Sequence, residues 1–352
     1  MKSLYDISWQ VDEPTYRSDE ALSYSMLQKY ERNGGFPAMD SLKESISTPS
    51  LVFGSMVDTL MTGSEEDFHK QYFVANFPAL SDAQAKIVKQ LFDENKDTES
   101  LLDIDDNIII AVCDAAGFQQ NWKPATRAKV IKENGQEYFN MLLLAEGKTV
   151  VSRDVAEQAF KAADALYNSP NTAWFFKKDS PFDTNNNIER LYQLKFKWED
   201  PSTGVPYRCM ADLIIVDHEK KMIYPKDLKT SSHYEWDFYR SFKEWRYDLQ
   251  ARLYARGIEE AIKDDPYFRQ FEVDDYEFIV VNKDSLQPMV WRFEGYTHQD
   301  GEIILTTRYN TKLRFRDPYT IGREIYYYMN HPEVKVPMES KSVNDIVEWL
   351  KH

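Results

Sequence analysis

Cysteine is nearly absent: of 352 residues, only Cys113 and Cys209 carry thiols. Two isolated cysteines supply neither a disulfide framework nor a cysteine-based metal site, and Cys209 reads as a small buried residue. No run of 18 apolar residues occurs, so no transmembrane helix is expected. The opening stretch MKSLYDISWQVDEPTYR has no apolar signal-peptide core, and a cytoplasmic location is expected. The pattern G-x-S-x-G is missing, which disfavours acyl transfer. Internal repeats and low-complexity tracts are missing as well. Positive charge is in deficit, with 43 Lys and Arg against 58 Asp and Glu and a net charge of −15. That balance counts against tight non-specific duplex binding, which rests on phosphate neutralisation. A locally basic groove could still hold DNA.

What is present suffices for a folded core: 42% of residues are hydrophobic and 14% aromatic. Helical spacing and capping residues predict helices over 21–32, 81–94, 104–116 and 152–168. Residues 121–132 are locally basic, and Lys123, Arg127 and Lys129 are the first candidates for phosphate contacts. The run Asn185-Asn186-Asn187 marks a change to sheet. Arg190–Trp198 alternates as a strand, and residues 236–263 read as one long helix. On that helix Arg246, Gln250 and Tyr254 fall on one line at i, i+4 and i+8. Strands are expected at 276–281 and 289–293, with helix from Glu302 onward. Arg314 and Arg316 belong to a second basic group between 308 and 323.

The centre of the chain is the stretch from Arg208 to Tyr254. Apolar residues at 213–216 and 222–224, separated by Asp217-His218-Glu219-Lys220, predict a hairpin. A turn centred between His218 and Glu219 would set Asp212 opposite Pro225, with Asp227 two residues further on. Diagonal neighbours about 7–8 Å apart could converge on one cation. Asp227 and Lys229, two apart on a strand, share a face, and Leu228 points away from it. Two acids and one lysine on one side of a hairpin are costly alone and make sense around a divalent cation.

Ala211-Asp212 followed by Asp227-Leu228-Lys229-Thr230-Ser231, and then by Gln250-x-x-x-Tyr254, resembles the PD-(D/E)XK nuclease superfamily. Within it, Asp227-Leu228-Lys229-Thr230 followed by a helix with Gln250-x-x-x-Tyr254 resembles the RecB-like and phage exonuclease VIII (lambda-type) branch. The phrase LSYSMLQ at 22–28 and TRAK at 126–129 are similar to elements of that branch. The resemblance implies an α+β (α/β) chain with a restriction-endonuclease-like core, in which a central mixed sheet is flanked by helices. It divides the chain into a mainly helical part at 1–170, the nuclease core at 185–330 and a C-terminal tail at 331–352, within one integrated unit.

It further implies a Mg2+- or Mn2+-dependent exonuclease acting on linear duplex DNA ends. Asp212, Asp227 and the Leu228 carbonyl would hold the metal. Lys229 and Gln250 would serve the chemistry, and Tyr254 and Arg246 would brace the site or touch the DNA backbone. A phage or prophage origin, a single-strand annealing partner and a homo-oligomer are part of the same expectation. Two positions depart from the pattern. Asp58 stands where the family has a metal-reaching histidine, and is either a hard oxygen ligand or a solvated helix residue. Gln193 stands at a glutamate position, and alternation would turn it toward solvent, on the face opposite Leu194, Phe196 and Trp198. These departures and the −15 charge support the alternative of a catalytically weakened nuclease fold used as a binding module.

Overall fold

The computed structural model describes residues 2–44, 48–77, 80–176, 187–299, 301–306 and 312–334. Most of the expected C-terminal tail therefore lies outside the described residues. The chain is a mixed α/β protein built as two compact units. One comprises Met1–Ser45, Lys177–Val280 and Met289–His352, and the other Ile46–Phe176 with Val281–Pro288. The division is discontinuous and differs from the contiguous boundary near residue 170 that the resemblance implied. Its physical cause is visible at the N-terminus, where Leu22 makes a parallel bridge to Tyr207 and accepts the Arg208 N–H at 2.9 Å. Leu4, Leu22 and Leu27 are fully buried in the same core as the sheet.

The first unit is organised on a six-stranded mixed sheet. Its strands are β1 (Ile188–Glu199), β2 (Pro206–Asp217), β3 (Met222–Ser231), β4 (Glu272–Val273), β5 (Tyr276–Asn282) and β6 (Met289–Phe293). The order is β1-β2-β3-β5-β6, with β4 pairing β3 in parallel and the β1/β2, β2/β3 and β5/β6 pairs antiparallel. Strands β7 (Tyr296–Gln299), β8 (Glu302–Thr306) and β9 (Lys312–Arg316) make a separate antiparallel sheet. Helix was expected from Glu302 onward. It begins only at Pro318, because Ile303 and Ile304 are buried within a strand pair. Helices α1 (Tyr24–Arg32), α2 (Phe238–Trp245), α3 (Tyr247–Ile262) and α4 (Pro318–Asn330) complete the elements that matter below. Their apolar residues, among them Leu27, Phe238, Leu249, Leu253, Ile258 and Ile325, share one core with the sheet.

The hairpin forms where alternation predicts it, but its register differs. Asp217 pairs with Met222, and Pro225 faces Ile214 rather than Asp212. The cause is local turn chemistry. The Asp217 carboxylate accepts the N–H groups of Glu219 (3.1 Å) and Lys220 (2.9 Å), and Lys221 closes the loop at φ 56°. Asp212 thereby falls opposite Asp227, one step beyond the Leu213–Lys226 pair.

A second irregularity lies beside it. The pairs Tyr192–Leu213 and Leu194–Ala211 flank Gln193, which therefore falls opposite Asp212 and has φ 51°. Core alternation changes phase at this point on both strands. Cys209 and Ala211 line the core before it and Ile214 and Val216 after it, while Leu191 is followed by Leu194 and Phe196. Gln193, expected to face solvent, is half-buried in a row with the two acids. A strictly period-two reading could not foresee a phase change that adds no residue to either strand.

The expected helix over 236–263 is broken. Arg246 adopts φ 54° and ψ 47°, a left-handed conformation that ends α2 and starts α3. Arg246 thus leaves the helical line on which it was expected to join Gln250 and Tyr254. Further along α3, Gly257 allows close packing on the sheet. A Cβ there would lie 2.7 Å from Trp198 Cζ3 and 2.9 Å from Cys209 Sγ.

The second unit is mostly helical, with a short parallel pair, Tyr72–Ala75 beside Thr149–Ser152. The expected helices appear as Asp82–Glu94, Asp106–Ala115 and Arg153–Asn168, the first closed by a Ser81/Gln84 capping box. Its core gathers Ile87, Val88, Leu91, Ile109, Ile131 and Phe139. No helix among the described residues is long and apolar enough to cross a membrane.

Candidate active site

Strand β3 places Asp227 and Lys229 on one face, and helix α3 brings Gln250 onto that face. Asp227 is 1% exposed. Its Oδ2 forms an ion pair with Lys229 Nζ, and its Oδ1 accepts from Gln250 Nε2. Asp212, opposite on β2, accepts the backbone N–H of Leu228 through Oδ2 at 2.9 Å. The carboxylate thus serves an N–H just past the last pair of the β2/β3 ladder, and this fixes the two acids side by side.

The electrostatics follow from burial. Burial alone would lower the pKa of Lys229, but Asp227, then Tyr247 and Asp212, outweigh it and raise the ammonium above its ordinary value. The Lys229 nitrogen also lies 5.0 Å from the Tyr247 ring centroid. Burial, aided by the nearby carboxylates of Asp227 and Asp212, pushes the Tyr254 and Tyr276 phenols well up, so both stay neutral donors. Tyr254 is buried against Tyr276, their rings 6.1 Å apart. Two carboxylates and one ammonium thus meet in this pocket.

Among the described residues, no group of three or more His, Cys, Asp or Glu side chains is arranged to hold a metal. Magnesium does not require one, since it keeps several waters and takes one or two carboxylates. Gln250 Oε1 is buried and makes no hydrogen bond in the structure. A buried acceptor of this kind needs a donor, which a hydrated cation provides. The donor set is thus all hard oxygen, contains two carboxylates and includes one unanswered acceptor. It fits Mg2+ or Mn2+.

The remaining sequence candidates fall elsewhere. Arg246 is held by Asp248 through two bonds of 2.9 and 3.0 Å, by Glu31 at 2.7 Å and by the Arg316 carbonyl at 2.8 Å. A guanidinium so enclosed braces the fold instead of facing a DNA backbone. Arg316 pairs with Glu31 and Glu324, and Arg314 with Glu302. Arg308, in the same basic group, lies outside the described residues.

In the second unit, Asp58 is half-buried on the helix Pro49–Thr62. Lys123 and Lys129 are exposed, Lys129 lying 3.7 Å from Glu133. Arg127 departs from expectation. It is 4% exposed, and its guanidinium is turned onto Asp114 (2.6 Å) and the Phe118 carbonyl, so it cannot act as a solvent-facing phosphate contact. Charge counting could not anticipate this, because only the packed helices show which basic side chain points inward.

No family model matches the chain, and no curated protein matches it. Among solved structures the chain is similar to a presumed exonuclease from Eubacterium rectale. Identity is 14%, over 96% of this chain and 98% of that one, with a TM-score of 0.41.

Proposed function

We propose that this chain is a metal-dependent deoxyribonuclease acting on the ends of linear duplex DNA. Asp212, Asp227, Lys229 and Gln250 of the first unit form its hydrolytic site. One observation carries the reading: a buried aspartate receives both a lysine ammonium and a glutamine amide, with a second aspartate opposite it across the hairpin.

Asp212 and Asp227, with the Leu228 carbonyl, would hold Mg2+ or Mn2+. Such an ion supplies Lewis-acid polarisation of a phosphodiester and a water of lowered pKa. The protein's own residues do the rest. Lys229, kept protonated by the acids around it, is a compact point charge suited to an oxygen on which negative charge develops. Gln250 fixes the rotamer of Asp227 and offers its free oxygen to a water. Tyr254 and Tyr276 wall the acids from bulk solvent as neutral groups. The sequence resemblance extends the proposal to phage-type recombination, with a single-strand annealing partner and assembly into a homo-oligomer.

Gln193 favours a second reading. Lying opposite Asp212, it adds no negative charge where the resembled family has glutamate, which suits a weakened site kept for binding. Cleavage of linear duplex DNA with Mg2+ or Mn2+ separates the two, comparing wild type with Asp227→Asn and Lys229→Ala. The nuclease reading expects activity in the wild type and its loss in both variants. Equal rates in all three proteins would discard it.

A further inference from the structure

The segment leaving β3 carries an aromatic surface that the proposed chemistry does not use. Tyr234 is 49% exposed, Trp236 52% and Tyr239 54%. Tyr234 and Trp236 stack, with ring centroids 4.6 Å apart and planes 13° from parallel, so they present a preassembled flat π-face. The backbone beneath them is anchored, since Trp291 Nε1 donates to the Glu235 carbonyl at 2.8 Å and Glu235 itself is buried. Trp236 lies two residues before α2, and within the helix Tyr239 is followed by Arg240 and at i+4 by Lys243, a spacing that makes helical neighbours.

Arg240 and Lys243 are exposed, and the Arg240 guanidinium lies 5.8 Å from the Tyr239 ring centroid. Asp237 lies 3.7 Å from Arg240 and offsets part of that charge. Rings interleaved with cations are the composition of a surface on which bases stack while phosphates are neutralised. The triple Tyr326-Tyr327-Tyr328 has no such interleaving. Tyr234 lies five positions beyond Lys229, a span of at most about 18 Å. That equals about five nucleotides at the spacing of stacked DNA.

We propose that Tyr234, Trp236 and Tyr239, with Arg240 and Lys243, form a base-stacking platform that holds single-stranded DNA next to the hydrolytic site. The proposal deepens the nuclease reading and rests on it. The experiment is fluorescence anisotropy of labelled oligothymidylate with the full chain in EDTA, so that binding is read without cleavage. Wild type should bind with an affinity that falls as salt rises. Trp236→Ala should bind about tenfold more weakly, the double variant with Tyr234→Ala more weakly still, and Trp236→Phe should retain most of the affinity. The side chains are exposed, so thermal unfolding should be unchanged, and a preserved midpoint separates lost stacking from lost fold. Wild type failing to bind, or the alanine variants binding as tightly as wild type, would overturn the platform. So would loss of self-association in sedimentation with oligonucleotide binding unchanged, which would make the surface a contact between copies of this chain. None of these outcomes touches the cleavage comparison at Asp227 and Lys229, so the two readings fail separately.

Discussion

Gln250 gives its side-chain N–H to Asp227, tying helix α3 to strand β3 at the buried carboxylate that also meets Lys229. Replacing Gln250 by alanine leaves that oxygen without its donor, and a loss of about 1–3 kcal/mol in urea unfolding is expected. Gln250→Glu sets a second carboxylate beside Asp227. Repulsion raises the pKa of the pair in the folded state, so stability is kept at acid pH and lost as pH rises through that value. Gln250→Glu should therefore fall furthest below wild type at neutral pH and recover near pH 4, close to the ordinary glutamate value of about 4.3.

Lys229 is the cation that balances Asp227. Lys229→Met strands a charge that is 1% exposed, at an expected cost of about 3–5 kcal/mol near pH 7. The folded-state pKa of Lys229 is raised, so its contribution is complete below the unfolded value of about 10.4 and vanishes as pH climbs through the higher folded value. The stability difference between wild type and Lys229→Met should be largest from neutral to mildly alkaline pH, shrink toward acid as the stranded Asp227 takes up a proton, and shrink again as pH climbs through the raised Lys229 value. A difference that does not change from acid to alkaline pH would contradict this assignment.

Arg246 combines a left-handed backbone with a buried ion network. Arg246→Ala loses the partners of Asp248, which is fully buried, and keeps the unfavourable φ of 54°. Arg246→Gly loses the same partners but relieves the backbone. Glycine should therefore be less damaging than alanine by about 1 kcal/mol, measured by chemical denaturation.

Gly257→Ala places a methyl group 2.7 Å from Trp198 and 2.9 Å from Cys209. Backing α3 away from the sheet should cost about 1–3 kcal/mol. Because Gln250 rides on the same helix, the nuclease reading also expects lower cleavage in the folded fraction. Full stability with full activity would show that α3 has slack at this point.

Local patterns made much of this architecture legible. The alternation at 190–198 and 213–216 yields β1 and β2, and Ser81 followed by Gln84 marks a helix start that the structure closes with a capping box. The basic residues misled, because the same letters serve different ends. Arg127 is itself buried and turned onto Asp114, Arg246 neutralises the buried Asp248, and Lys123 and Lys129 are exposed. No local signal distinguishes them. The aromatic residues after β3 divide in the same way, Phe238 buried in the core and Trp236 and Tyr239 exposed.

By itself the sequence determined that Asp227 and Lys229 share a face, since side chains two apart on a strand cannot do otherwise. It also determined that they lie on the second strand of a hairpin, since its apolar runs and polar turn leave no better pairing. Tertiary structure alone decided that Gln193, Asp212 and Asp227 form one row. That row depends on a register set by the Asp217 turn and on a phase change shared by two strands. It also decided that the long helix breaks at Arg246, because the partner that holds the guanidinium, Glu31, lies 215 residues away in the chain. Only a folded molecule brings such groups within reach.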